Sequence, residues 1–390
     1  MNNLWSALVL SRSPALAFAG MGALWGVFAA FVPVIKSGLG AADGVFGLAL
    51  LCSAFGLVLS MWLAPLADSR LGARALPFAS ACLTLAFLLP GLAGNVVLFG
   101  AAMAVVGMAS GLTDVVMNAR VSELEARHGR SLMNLNHGMF SVAYACGAIA
   151  TAVAREAELT PLAMFAGVGA VTLVATRWMV MPVEQTGPES PESRRAFPRA
   201  IVFWGGLIVL VAFMAENAAE GWSALHIERT LGGGAAEGAF GPAMLGLTMA
   251  IGRLSGQVVA DRLREVTVIR WACLLSASGA ALAAFAVNLP LAYAGFAMLG
   301  LGISVLAPMA LALVGKRVAP SMRTKAISRT AVLGFLGFFI GPPVMGLLSE
   351  LLSLRASFGF VALILLAVMG CLVPLRRSEA GQTPIGHTRP

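Results

Sequence analysis

The sequence predicts an all-α membrane protein whose twelve transmembrane helices form two pseudo-symmetric bundles of six. Composition is the first reason: 59% of the 390 residues are hydrophobic and 11% are charged, whereas soluble globular domains carry about 25% charged residues. The second reason is a recurrence of apolar windows along the chain, and the third is one polar linker near its middle. Water is therefore not the main solvent of this chain.

Twelve windows are long and apolar enough to cross a bilayer as helices. A spanning helix needs about 20 mostly apolar residues, and it tolerates glycine and proline. The first window is longer than the core of a signal peptide, so we expect it to remain as a helix. The windows cover residues 14–35, 44–66, 75–92, 96–119, 132–154, 161–181, 200–221, 238–260, 266–287, 291–314, 326–350 and 357–375.

One polar connection divides the windows into two sets of six. It is rich in Pro, Glu, Ser and Arg, as solvated linkers are. Each half also carries a similar motif after its second window, beginning at Asp68 in the first half and at Asp261 in the second. Such a repeat is typical of a duplicated transporter fold. We expect a first bundle at 1–183, a linker at 184–199, a second bundle at 200–377 and a polar tail at 378–390.

Lysine and arginine positions predict the orientation in the membrane. If both termini are cytoplasmic, 20 of the 26 cations lie on the cytoplasmic side, and the other six divide into four outside and two within helices. This bias follows the positive-inside rule, and we expect a multi-pass protein of a bacterial inner membrane. The four outside are Lys36, Arg155, Arg229 and Arg355, and the two within helices are Arg177 and Arg253.

Other functional classes lack support in the sequence. The net charge of +8 does not indicate a nucleic-acid partner, because the cations are dispersed between apolar runs. The five cysteines are far apart, with no CxxC pair, so neither a metal site nor a disulfide framework is predicted. No phosphate-binding loop or dinucleotide fingerprint occurs, and we expect no cofactor.

Asp114, Asn118 and His137 are polar residues that the windows place inside the first bundle. An ionisable side chain near the centre of a spanning helix costs roughly 2.5 to 3.5 kcal/mol, so it needs a partner or an aqueous cavity. Asp114 and Asn118 share a helix face because they are four residues apart. Asp114 and His137 lie at similar depth and could form a hydrogen-bonded pair, either as a proton or substrate site or as a structural clamp.

Glu216 and Asn217 are the candidate binding residues of the second bundle. Glu216 shares a helix face with Glu220; we expect Glu216 at membrane depth, whereas Glu220 could lie in solvent. Gly221 can break the helix at the point where Trp222 reaches the outer membrane interface.

Three further residues complete the candidate site. Arg253, in window eight, could bind an anionic group or neutralise a buried carboxylate such as Asp114, and we favour the second interpretation. Trp25 and Phe28, in window one, could stack on a substrate, although aromatic residues at helical spacing usually pack against neighbouring helices.

Window eleven combines small residues with a proline pair. Gly337, Gly341 and Gly346 allow close helix contact, and Pro342-Pro343 removes two backbone donors. We interpret this segment as a hinge or an interface between the two halves.

Together these features resemble the major facilitator superfamily over nearly the whole chain. The loop LADSRLGAR at 66–74 is similar to the superfamily motif of Gly, Asp, Arg and Gly after helix two, although Ala64 stands where glycine is usual. The resemblance implies two bundles around a central cavity, alternating access and proton coupling. It also implies that Asp68 meets the start of helix eleven near Arg329 as a latch on the inner side, with Asp261 as the second copy of the motif.

A narrower resemblance is to the YbjJ-like, fucose-permease-related branch. The segments that carry it are Asp114 to Asn118, His137-Gly138, Glu216 followed by Trp222-Ser223, and GPPVMG from Gly341. The resemblance implies a secondary transporter for a small polar, sugar-like solute, with proton-coupled uptake, and not an enzyme. We expect a monomer whose partners are the solute, protons and the lipid bilayer.

Several alternatives remain open from the sequence. The solute could be a flat vitamin such as riboflavin, or the direction could be export. A receptor that binds a ligand without transporting it could use the same scaffold. An intramembrane enzyme is disfavoured because Glu216 is predicted at a different depth from Asp114 and His137, too far for one catalytic cluster.

Overall fold

Twelve helices, numbered α1 to α12, correspond one to one to the predicted windows in the part of the chain that the structure describes. The computed structural model describes residues 2–182, 198–319 and 322–375; the tail and all but the last two residues of the predicted linker lie outside this part. A short helix, Asn2–Leu10, precedes α1. The twelve are Arg12–Leu39, Asp43–Leu71, Ala75–Ala86 (continued by Leu88–Leu92), Val96–His128, Met133–Glu156, Pro161–Ala175, Arg199–Leu231, Ala235–Arg262, Glu265–Phe285, Leu289–Arg317, Arg323–Leu351 and Leu354–Ala367.

Eleven of the twelve described helices lie in stretches apolar enough to cross a membrane. Ten stretches have the length and hydropathy of a membrane span, and one of them, Asp43–Leu92, contains both α2 and α3. The remaining helix is α8, which carries Arg253. No strand occurs among the described residues, so the predicted all-α membrane fold is confirmed.

The two bundles repeat the same packing order. In the first bundle α1 packs against α5, α2 against α4 and α3 against α6; in the second, α7 packs against α11, α8 against α10 and α9 against α12. The bundles meet mainly where α2 contacts α11 and where α5 contacts α8. The arrangement is therefore two pseudo-symmetric bundles of six helices.

Small residues bring α2 and α11 close together. A Cβ atom added at Gly346 would lie 2.5 Å from the Asp43 carbonyl oxygen, and one added at Gly47 would clash with the Pro342 carbonyl. Helix α11 continues through both prolines. The interface interpretation of this segment is confirmed, because only side chains smaller than alanine allow this approach.

Helix α7 differs from the prediction. It continues past Gly221 to Leu231, so Gly221 does not end it. Trp222 is fully buried, and its ring packs edge-on against Phe46 of α2, with 6.1 Å between ring centroids. The prediction of an interfacial tryptophan is wrong because the facing bundle covers this side of α7.

The helix bundle has two ends, which are named here by the chain. The distal end is where α1 ends and α2 begins, and the terminal end is where α1 begins and α12 ends. Asp43 and Arg229 lie at the distal end, and Asp68 lies at the terminal end.

Candidate functional site

A polar network joins the two bundles midway between their ends: an ion pair within the second bundle bonds to a serine of the first. Arg253 of α8 donates from Nη2 to Glu216 Oε1 of α7 at 2.9 Å, and from Nη1 to Ser141 Oγ of α5 at 2.6 Å. The Arg253 and Glu216 side chains are 15% and 14% exposed, so the pair is largely buried. Arg253 thus pairs with Glu216 and not with Asp114, because its side chain extends toward α7 and α5.

Two polar groups beside this pair have no hydrogen-bond partner among the described residues. Glu220 lies one turn beyond Glu216 on α7 and is half-buried, not in solvent; the charges of Glu216 and Arg253 both act on it. Tyr144 of α5 is 2% exposed, and its hydroxyl is unpartnered. Tyr144 follows Ser141 by one turn of α5, just as Glu220 follows Glu216 by one turn of α7, and both helices run toward the distal end. Because Arg253 bonds to both Ser141 and Glu216, Tyr144 and Glu220 lie on the same side of the ion pair, on facing helices.

The predicted pair of Asp114 and His137 does not form within the described structure. Asn118 Nδ2 donates to Asp114 Oδ1 at 2.9 Å, within the same helix. The His137 ring packs edge-on against Phe18 of α1, with 4.8 Å between ring centroids. Similar depth was therefore insufficient for contact, because the two side chains turn toward different neighbours.

Asn217 lies at the contact between α7 and α11. It is half-buried, and its Oδ1 lies 3.5 Å from the position that a Cβ atom on Gly341 would take. It neighbours Glu216 in sequence but faces a different helix.

Trp25 and Phe28 belong to an aromatic cluster within the first bundle. Trp25 Nε1 donates to Ser110 Oγ at 3.2 Å, and its ring packs edge-on against Phe28 and Phe87. Phe28 is 3% exposed and stacks on Phe99. In this conformation Phe28 is a core residue with no free face for a substrate, whereas Trp25 is partly exposed.

The charged residues at the terminal end differ from the predicted latch. Asp68 pairs with Arg120 of α4, in the same bundle, and not with Arg329. Arg120 is 1% exposed and also donates to Glu123 at 2.6 Å. Arg329 lies exposed near the start of α11, and the side chain of Asp261 lies outside the described part.

Sequence reasoning missed Arg120 as a buried residue. Arg120 directly follows window four in the sequence, so it was counted among the cytoplasmic cations. A signal was available in Glu123, since opposite charges three residues apart on a helix can pair.

Asp43 forms the first polar contact between the bundles at the distal end. Its carboxylate accepts from Arg229 Nη1 of α7 at 2.7 Å and pairs with Lys36 Nζ of α1 at 2.7 Å. Ser349 of α11 also donates to it. Asp43 is 5% exposed, so three donors compensate one buried carboxylate.

Arg155 forms the second distal contact. Its Nη1 donates to Glu228 Oε1 of α7 at 2.6 Å and to the Ala30 carbonyl at 3.0 Å. Close by in sequence, Glu156 accepts from the Ala236 N–H of α8 at 3.2 Å. Sequence reasoning missed these residues because charges beside helix ends were interpreted as solvated.

Two pseudo-symmetric bundles of six apolar helices, with polar contacts across their interface, have the architecture of a membrane transporter. A family model described as Major Facilitator Superfamily matches residues 15–277 and 208–388. The chain belongs to the major facilitator superfamily.

Similar proteins agree with this assignment. An uncharacterized MFS-type transporter of Yersinia pestis is 32% identical over 364 residues, which cover 91% of this chain and 93% of that protein. A bacterial homolog of the human lysosomal transporter Spinster, solved inward-facing and unoccupied, superposes with a TM-score of 0.73 at 13% identity, covering 97% and 99% of the chains. A mutant of the nucleoside transporter NupG superposes with a TM-score of 0.73 at 12% identity, covering 96% of this chain and 100% of that one. At these identities the two structures support the fold alone.

Proposed function

We propose that this protein is a secondary active transporter that takes up a small polar solute by alternating access, coupled to protons. The observation that carries the proposal is the network of Arg253 with Glu216 and Ser141. It bridges the bundles at mid-depth, where a solute would be reached from either side in turn. The sequence resemblance to the fucose-permease-related branch favours a sugar-like solute.

The proposed orientation places the distal end outside the cell. Both termini are then cytoplasmic, as the distribution of cations favours. In this orientation the contacts of Asp43 and Arg155 close the outer side, so the described conformation is one in which solute cannot enter from outside. A bacterial inner membrane is the proposed location.

Uptake into proteoliposomes tests the function. Purified protein is reconstituted, and entry of radiolabelled sugars, polyols, amino acids and riboflavin is measured with and without an imposed inward proton gradient. We expect uptake of one polar class, stimulated by the gradient. Ligand binding without flux would favour a receptor, and riboflavin as the sole solute would favour the flat-vitamin alternative.

Asp114→Asn tests where protons act. The change keeps the shape and the contact with Asn118 but removes the charge, so we expect uptake driven by the proton gradient to fall about tenfold. Unchanged uptake and unchanged pH dependence would remove Asp114 from the site. Glu158→Gln, at an exposed position in the α5–α6 connection, is the matched control.

A further inference from the structure

We propose that the transported solute carries a protonated amine, which binds between the Glu220 carboxylate and the Tyr144 hydroxyl. The inference rests on the proposed function, since it names the substrate class of the same central site. It begins from Glu220, which has no hydrogen-bond donor among the described residues although it is half-buried. A carboxylate within a membrane protein normally has a partner, because desolvating an unpaired charge is costly.

The position of Glu220 fits a ligand and not a structural ion pair. It lies eight residues before Glu228, or about 12 Å along the helix. Glu228 is paired with Arg155 in the distal contact, and Glu216 is paired with Arg253 at mid-depth. Of these three α7 glutamates, Glu220 is therefore the one that forms no ion pair with a described residue.

Tyr144 is an independent observation that points to a ligand at the same place. Its side chain is almost fully buried, and its hydroxyl has no partner among the described atoms. Leaving a buried polar group unsatisfied is unfavourable, and a ligand that bonds to it relieves this cost. A phenol oxygen accepts from an ammonium group while the adjacent carboxylate neutralises its charge.

The charge of the site favours a cation over an anion. Glu216 and Glu220 carry two negative charges and Arg253 one positive charge, so the cluster has an excess of one negative charge when ionised. Arg253 uses two of its N–H groups in the described bonds, and a guanidinium has five. Its remaining donors can bind hydroxyl oxygens elsewhere on the same solute.

Matched probes test the proposal: within each set, one functional group is an amine, a hydroxyl or a carboxylate, so the probes are cationic, neutral or anionic. Thermal stabilisation of the purified protein and uptake into proteoliposomes are measured with glucamine, sorbitol and gluconate, and with glucosamine, glucose and glucuronate. The measurements are made at pH 7.5, which lies above the usual titration range of histidine. We expect the amine of at least one set to bind about tenfold or more tightly than its neutral analogue, as for a hydrogen bond to a charged group.

Variants connect this preference to the two residues. Glu220→Gln should reduce the amine preference to less than about twofold while binding of the neutral analogue persists, and Tyr144→Phe should reduce it partly. Glu220→Asp keeps the charge and should retain most of the amine preference. It serves as the second test in case Glu220→Gln folds poorly. Glu158→Gln, exposed in the α5–α6 connection, is the control and should leave the preference unchanged.

Several outcomes would overturn the inference. One is transport of a neutral or anionic solute with no amine of either set binding, which would leave the transporter function intact. Another is an amine preference that survives in Glu220→Gln. A third is loss of proton-driven uptake in Glu220→Gln with the amine preference unchanged, which would assign a proton to Glu220. Absence of flux for every solute would instead contradict the proposed function.

Discussion

The distal contacts and the central site are two polar regions of the same interface between bundles, and their hydrogen bonding differs. At the distal end, Asp43 has three side-chain donors, and Arg155 bonds to both a carboxylate and a carbonyl. In the centre, Glu220 and the Tyr144 hydroxyl have no hydrogen-bond partner within the described structure. Satisfied buried charges hold helices together, whereas unsatisfied ones gain free energy when a ligand arrives. Under the proposed function, the first region would close the protein and the second would bind the solute.

The largest expected effect is at Arg253, which belongs to the central site but is paired. Arg253→Gln leaves Glu216 without its cation, and an unpaired buried charge costs about 3 to 5 kcal/mol. If the conformations of the transport cycle bear this cost, their populations fall by more than about a hundredfold. We therefore expect proteoliposome uptake to fall below about 1% of wild type. Arg270→Gln, on the exposed face of α9, should retain full uptake. Uptake within threefold of wild type in Arg253→Gln would show that the pair is dispensable.

An intermediate effect is expected when the distal region loses its charge. Asp43→Asn removes the ion pairs with Arg229 and Lys36, so the closed distal end should lose stability relative to the open one. Spin labels on Ser37 and Gly234, in a cysteine-free background, report the distance between bundles by pulsed electron resonance. We expect a new population at longer distance, with solute affinity in detergent changed less than about threefold.

The same labels make the comparison between regions sharper. Glu158→Gln removes an exposed carboxylate at the same end and should leave the distance distribution unchanged. If Asp43→Asn also leaves it unchanged, the distal contacts do not hold the bundles together. If the distance between the two labels increases only in Glu220→Gln, then the central site controls closure, and the assignment of closure to the distal contacts is wrong.

The smallest effect is expected at Trp25, which lies in the aromatic cluster of the first bundle and already has a hydrogen-bond partner in Ser110. Trp25→Phe removes its hydrogen bond to Ser110, a neutral bond worth about 0.5 to 1.5 kcal/mol. We expect a small decrease in the apparent melting temperature and uptake within about threefold of wild type. A loss of uptake as large as that of Arg253→Gln would mean that Trp25 contacts the solute directly.

Local features of the sequence were sufficient to predict the helices and to predict that Glu216 and Arg253 lie at membrane depth. Apolar windows predicted all twelve helices, since length and hydropathy are properties of each segment alone. Glu216 and Arg253 were identified in advance because an ionisable residue in an apolar window is conspicuous. The partner of Arg253 was not identified, because it depends on how α7 and α8 are rotated against each other.

The residues that sequence reasoning missed share one property. Asp43, Arg155 and Glu228 lie near helix ends, where a charge is ordinarily solvated. Asp43 and Arg229 are 186 positions apart, and no local pattern indicates that their helices meet. Trp222 was placed at a membrane interface for the same reason, since its burial depends on α2 of the other bundle.

The sequence by itself determined that this protein crosses a membrane twelve times and carries a few ionisable groups within its helices. Hydropathy decides this, because each segment exchanges water for lipid independently of the others. Only the tertiary structure decided which of those groups are satisfied. Pairing requires contact between side chains of separate helices, and it leaves Asp43 with three partners and Glu220 with none among the described residues.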